Sequence, residues 1–269
     1  MTGAVLVETL RRGWKPMLWW GLGVGSLGFF SIIIVPDVEA LQQMAELMES
    51  LPPFLTQALG GGDVAFMATP EGYLALQLFS FTLLVFAVYA VVSGLNVTSN
   101  DEERGILDIV LSLPIARWRL VFEKFVAYSL LITGAILISF VSMWIGIAIT
   151  PTLATVDMGK IVAATFAMVP ASLVVLAFTL FIAAVVRRRG LAIALASVFV
   201  IGSYFIDTIG RAAPSTVGAL RSISFFAYYD GTGVMQYGFS WVNVLVLLVA
   251  TGILVAGGIW FFQRRDVGL

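Results

Sequence analysis

The sequence predicts an all-α membrane protein with six transmembrane helices, and three observations predict it. The chain has 269 residues and a mean hydropathy of +1.01, an apolar surplus that no soluble domain of this length needs. Six stretches stay apolar over the roughly 20 residues an α-helix needs to cross the hydrocarbon core. The 15 Lys and Arg residues then gather in alternate connecting segments rather than evenly.

All six spans are read as one transmembrane domain covering residues 1–269. The first runs over residues 17–35 (Met17–Val35) and is preceded by an amphipathic N-terminal elbow helix. That helix carries Leu6, Leu10 and Trp14 on one side and Glu8, Arg11 and Arg12 on others. The basic residues lead into a 19-residue apolar run with no small-residue cleavage site behind it, so a cleaved signal is not expected. Residues Asp37–Leu51 then place Val38, Leu41, Met44, Met48 and Leu51 on one helical face, with Glu39, Glu46 and Glu49 elsewhere. Pro52-Pro53 ends this stretch, which reads as a short helix on the outer surface.

The second span is 73–95 (Tyr73–Leu95) and the third 126–149 (Val126–Ile149), separated by a long polar loop over 96–125. The fourth, 161–186 (Ile161–Val186), and the fifth, 190–209 (Gly190–Ile209), are joined by the tight turn Arg187-Arg188-Arg189-Gly190. Residues 210–240, rich in aromatics and glycine, read as a loop or as short helices on the outer side that dip back into the membrane, the second being favoured. The sixth span is 241–262 (Trp241–Phe262). Trp14, Trp19, Trp20, Tyr73, Trp144, Trp241 and Trp260 fall near span ends, where amphipathic rings anchor at the membrane interface.

With the N-terminus inside, twelve Lys and Arg residues lie in cytoplasmic segments, and only Lys160, Arg211 and Arg221 lie outside. That bias predicts both termini in the cytoplasm of a multi-pass cell-membrane protein. The chain has no cysteine, which removes disulfides, thiolate metal sites and thiol catalysis, and no histidine, the commonest general base and metal ligand. No catalytic residue, metal or cofactor is therefore expected. No basic stripe exists to attract nucleic acid.

Several motifs yield to simpler physics. Gly23-Val24-Gly25-Ser26-Leu27-Gly28 matches a dinucleotide-binding pattern, but it lies inside an apolar span with no strand before it. Close helix packing through glycine explains it better. Asn96-Val97-Thr98 matches a glycosylation site on what is predicted to be the wrong side. No P-loop pattern occurs, so this chain does not itself bind ATP through one. One acid, Asp207, approaches a span interior. A mid-membrane charge costs about 2.5–3.5 kcal/mol, so Asp207 is expected at the interface, paired with Arg211 one turn on.

The segment Asp101–Phe125 departs from everything around it. It holds nine of the 31 charged residues, too many to insert, because the cost would be on the order of 25 kcal/mol. Yet Ile106, Ile109, Val110 and Leu113 keep helical spacing, Pro114 ends that helix, and Trp118, Val121, Phe122 and Phe125 repeat the spacing. This reads as a two-helix cytoplasmic elbow with a buried apolar stripe and a charged face toward water. The acids at its start suit a helix N-terminus. The residues alone leave open whether that face docks a partner or is merely solvated.

Taken in order, these residues resemble the first cytoplasmic loop of permease subunits of ATP-binding-cassette exporters of the type 2 (ABC-2) family. The matching positions are Glu102 or Glu103, Gly105, Leu107, Leu111, Ser112, Leu113, Pro114, Ile115, Arg117 and Lys124. Ile106 stands where the family often has Thr, and Glu123 where a small residue is frequent. The ending Phe261–Val267 is similar to the family's basic Arg-Asp terminus.

The resemblance implies a dimer, with a second copy or a paralogue, that binds two cytoplasmic P-loop ATPase subunits. It also implies a coupling surface comprising Asp101, Glu102, Glu103, Arg104, Gly105, Leu107, Leu111, Pro114, Arg117 and Lys124, beside the elbow residues Glu8, Arg11 and Arg12. The substrate would be hydrophobic or amphipathic: a lipid, drug or peptide. The competing readings are a stand-alone secondary transporter or channel, and a polytopic scaffold or membrane enzyme.

Overall fold

Six helices are long and apolar enough to cross a membrane in the computed structural model, which describes residues 3–35, 38–52, 55, 64–67, 69–100, 116–186 and 188–264. In chain order the elements are α1 (Ala4–Ile33), α2 (Val38–Glu49), α3 (Val64–Met67), α4 (Pro70–Leu95), α5 (Arg117–Ile149), a first 3₁₀ turn (Pro151–Leu153), α6 (Met158–Val185) and α7 (Arg189–Ala212). They continue with α8 (Pro214–Val217), a second 3₁₀ turn (Gly218–Ile223), α9 (Phe225–Tyr228), α10 (Gly231–Tyr237) and α11 (Trp241–Arg264). Among the described residues no strand occurs. The spans are α1, α4, α5, α6, α7 and α11.

Local signals explain where several helices begin. Thr69 caps α4, its hydroxyl accepting from the Gly72 amide at 3.1 Å, with Pro70 at the first helical position. Asp157 caps α6 by accepting from the Gly159 amide at 2.8 Å. Within α4 the stretch Ala75–Phe79 winds as a π-helix, a bulge that nothing in the hydrophobic pattern announces. Pro16 and Pro170 lie inside α1 and α6, which membrane helices tolerate because neighbouring helices restrain them.

The bundle is centred on α6, which packs against α4, α5, α7 and α11. Stacked rings tie this centre outward: Phe178 to Phe199 at 3.9 Å between centroids, and Phe199 to Phe225 at 5.5 Å. Trp20 of α1 stacks on Tyr89 of α4 at 5.3 Å. The peripheral helices expose apolar stripes, such as Leu191, Leu195, Val198, Phe205 and Ile209 on α7. A membrane solvates such stripes with lipid.

The helices run in a fixed sense. Val5, Val97, Val121, Ala184 and Phe262 share one small apolar cluster, so the starts of α1 and α5 and the ends of α4, α6 and α11 meet at one end of the bundle. We call this the terminal end. The turn between α6 and α7 belongs there too, and α8–α10 lie at the opposite end.

Two expectations need correction. The elbow helix and first span are not separate, because α1 is a single 30-residue helix through Pro16. At about 45 Å it overshoots the roughly 30 Å hydrocarbon core. Its continuity has a cause in α5, which runs alongside it. Gly13 faces Leu131, Gly21 faces Ala135 and Ile138, Gly25 faces Ser139 and Ser142, and Ile32 reaches Gly146. Leu51, expected on the apolar face of the second helix, is instead exposed. Helix α2 stops at Glu49, so Leu51 falls out of its phase, whereas Leu41 is fully buried.

Candidate functional site

Of the expected coupling residues, Asp101, Glu102, Glu103, Arg104, Gly105, Leu107, Leu111 and Pro114 lie outside the described residues, as do Arg265, Asp266 and Val267 at the C-terminus. The two attachments of the 101–115 segment are described: the turn that closes α4 and the first turns of α5. Ala116 is extended, and Arg117 opens a helix that continues without a break into the third span.

The first turns of α5 invert the expected pattern. Trp118 and Phe122, predicted on a buried stripe, are 47% and 46% exposed, while Glu123 and Lys124 are only 9% and 8% exposed. Val121 is buried and Phe125 partly so, as the spacing required. Exposed aromatic rings at the end of a span suit the membrane interface, so turning them outward costs little. Turning two charges inward needs partners, and both have them.

Glu123 closes the start of α1. Its Oε1 accepts from the Gly3 amide at 3.2 Å, and its Oε2 accepts from the Leu6 amide at 3.3 Å. Helix α1 has no acid in its own first turn and no side-chain cap. Its orphan amides and the positive end of its dipole are therefore met by a carboxylate from another helix. Gly3 sits at φ +86°, a left-handed conformation that glycine adopts without strain. Arg119, one turn back on α5, donates its Nε to Glu123 Oε1 at 2.8 Å.

Lys124, the next residue, does the converse for α4. Its Nζ donates to the Val97 carbonyl at 3.1 Å, in the turn that ends α4, where the helix dipole is negative. Adjacent residues of α5 thus place a negative charge on the N-terminus of α1 and a positive one on the C-terminus of α4. Beneath them Val97, Leu120, Val121, Leu180, Ala184 and Phe262 form the apolar cluster of the terminal end. The elbow residues lie on the outer surface of α1, where Glu8 pairs with Arg11 at 3.2 Å and Arg12 at 2.7 Å. Arg264 lies over the Trp260 ring at 4.0 Å.

The clamp gives a direct expectation. Glu123→Ala orphans two amides and the Arg119 guanidinium, and is expected to cost about 2 kcal/mol. Amide exchange at residues 3–8 should rise well above that of the unchanged chain, and Glu123→Gln should fall between the two. Equal exchange in all three proteins would remove the cap.

At the opposite end a second charged group forms around Asp207, which is 5% exposed. The predicted pair with Arg211 is present, Nη2 to Oδ2 at 2.7 Å, and Asp207 is buried within the protein. It belongs to the inward stripe of α7 with Ala192, Ala196, Val200, Ser203 and Gly210, and that register would have flagged it. Two partners were missed. Arg221 donates its Nε to Asp207 Oδ1 at 3.0 Å, and Arg211 Nη1 reaches Asp230 Oδ1 at 3.3 Å. Arg221 passes so close to α7 that a Cβ on Gly210 would lie 2.3 Å from its Cγ. Among the described residues no cluster of three or more acids gathers as a metal site would require.

Six long apolar helices with charged groups bound across them at both ends describe a membrane bundle. Residues 17–267 match the family described as ABC-2 family transporter protein. The chain belongs to that family. A search of curated proteins returns no match. As an ABC-2 permease it is a multi-pass membrane transport subunit, and the match runs through all six spans as well as the 101–115 segment.

Proposed function

We propose that this ABC-2 permease exports a hydrophobic or amphipathic substrate across the cell membrane, driven by two separate P-loop ATPase subunits docked at the terminal end. The observation that carries the proposal is the clamp on α5. The 101–115 segment leads directly into α5, and Glu123 and Lys124 fasten that helix to α1 and α4. A push on the segment would therefore be delivered to three spans at once. The terminal end faces the cytoplasm on this reading, since twelve of the 15 basic residues lie in its segments. The permease works as a dimer, with the path between two copies or paralogues.

Substrate chemistry follows from what the spans lack. Apart from Asp207 no Asp, Glu, Lys or Arg lies between the predicted span ends, so a multiply charged solute would find few partners. An apolar or amphipathic molecule needs none. In this scheme Asp101–Arg104 and the helix ending at Pro114 enter the ATPase, with Arg117 and the elbow residues Glu8, Arg11 and Arg12 beside them.

The test is the double variant Glu102→Lys/Glu103→Lys. The chain should co-purify with a P-loop ATPase encoded beside it, and the variant should lose that association or lose ATP-driven transport at least tenfold. Unchanged association and transport in the variant would overturn the docking assignment. Transport by the purified chain alone, without ATP, would establish a stand-alone transporter instead.

A further inference from the structure

The charged group at the opposite end has an uneven build. Asp207 is buried and holds two arginines at 2.7–3.0 Å, so this half is short, enclosed and doubly bonded. The Arg211 to Asp230 link is longer, at 3.3 Å, and the Asp230 side chain is 36% exposed. Asp230 Oδ1 is also shared, since it caps α10 by accepting from the Gly233 amide at 3.2 Å. Separating Arg211 from Asp230 leaves Arg211 still paired with Asp207, and Asp230 still hydrogen-bonded and reachable by water. No group is stranded by that separation.

What the link closes is a contact between two spans. Tyr229, next to Asp230 and fully buried, donates its hydroxyl to the Phe79 carbonyl at 3.1 Å, the last residue of the π-helical turn of α4. Burial, reinforced by the Asp230 charge, holds that phenol well above its ordinary pKa, so it remains a donor. Gly231 lies against Phe79, where a Cβ would come within 3.0 Å of the Phe79 Cβ. The segment 224–237 therefore bridges α4, through Phe79, and α7, through Arg211, and Ser224 adds a bond to the Ser203 carbonyl of α7 at 2.7 Å.

We propose that Arg211 and Asp230 form a reversible latch that closes the end of the bundle opposite the termini, with Asp207 and Arg221 as its fixed base. Opening parts Asp230 and α10 from α7 and breaks the bridge that segment 224–237 makes between α4 and α7. This deepens the export reading given above, on which it rests for direction: the latch then stands on the release side.

The chain has no cysteine, so paired labels can be introduced without background. Cysteines at Ile209 on α7 and Tyr237 at the end of α10, both strongly exposed, carry spin labels on the full chain in lipid nanodiscs. Asp230→Asn keeps a good N-cap for α10 while removing the charge, so it isolates the latch from folding. We expect one short distance in the parent. Asp230→Asn should raise the separated population about fivefold, the size of effect one partly exposed ion pair supplies.

On the unsubstituted background, raising salt from about 0.1 M to about 1 M cuts the screening length from about 10 Å to about 3 Å and should act in the same direction. Unchanged distances under both treatments would overturn the latch. The measurement needs neither ATPase nor substrate. A shifted distance in a chain that binds no ATPase would keep the latch and remove the export reading. An unshifted distance in a chain that does bind one would do the reverse.

Discussion

Asp207→Ala is expected to lower the stability of the permease by about 3 kcal/mol, the lower end of the range for stripping one partner from a buried ion pair. The carboxylate is enclosed, with hydrogen bonds from Arg211 and Arg221, and its removal leaves two guanidiniums held against each other without their common counter-ion. The lower end applies because the arginine side chains are 21% and 32% exposed, so water reaches them when the acid is gone. Asp230 compensates in part for Arg211 and not at all for Arg221, whose described ion pair is with Asp207 alone.

Thermal unfolding in detergent would read the change as a fall of roughly 6–12 °C, taking about 2–4 °C per kcal/mol for a chain of this size. Asp207→Asn retains an acceptor and should lose less. A loss below about 1 kcal/mol in the alanine variant would mean that the group behaves as an exposed surface pair. The distinction matters for the latch, which requires a firm base and a weak upper link.

The contrast between Asp207 and its partners shows what the sequence could disclose. Asp207 and Arg211 are four apart on one helix, so their pairing follows from helical geometry alone. Arg221 and Asp230 reach them from a 3₁₀ turn and a helix cap, elements too short to carry a period, and their approach is fixed by tertiary packing. The six spans were legible because each is an apolar run of the length a membrane imposes. Which way the first turns of α5 face was not. Trp118 and Phe122 carry the same hydrophobic signal whether they meet protein or lipid, and only the amides of α1 and the carbonyl of Val97 decide that Glu123 and Lys124 turn inward. The start of α1 is a similar case: its amphipathic turns and apolar run read as two helices, and packing along α5 joins them into one through Pro16.

The glycines of α1 allow a sharper test, because one run of sequence contains both a packed and an open position. Gly25 lies where a Cβ would stand 2.6 Å from Ser142 Oγ and 3.1 Å from the Ser139 Cα of α5. At Gly21 the same atom would meet the Ala135 carbonyl at 2.9 Å. Backbone cannot yield at such distances, so a larger side chain must push α1 and α5 apart and strip the contacts above and below it. Gly25→Leu is therefore expected to cost about 3 kcal/mol and to loosen the Glu123 cap with it.

Gly23, two residues earlier, has nothing within 4 Å of its would-be Cβ. Gly23→Leu should be neutral or gain up to about 1 kcal/mol, since leucine is a better helix former than glycine and enters open space beside the chain. The two variants have identical composition and nearly identical hydropathy, so any difference in melting temperature, or in amide exchange at residues 3–8, reports packing alone. Equal behaviour would mean that α1 is not seated on α5. The expected split of about 4 kcal/mol would show that the glycine run serves a helix interface.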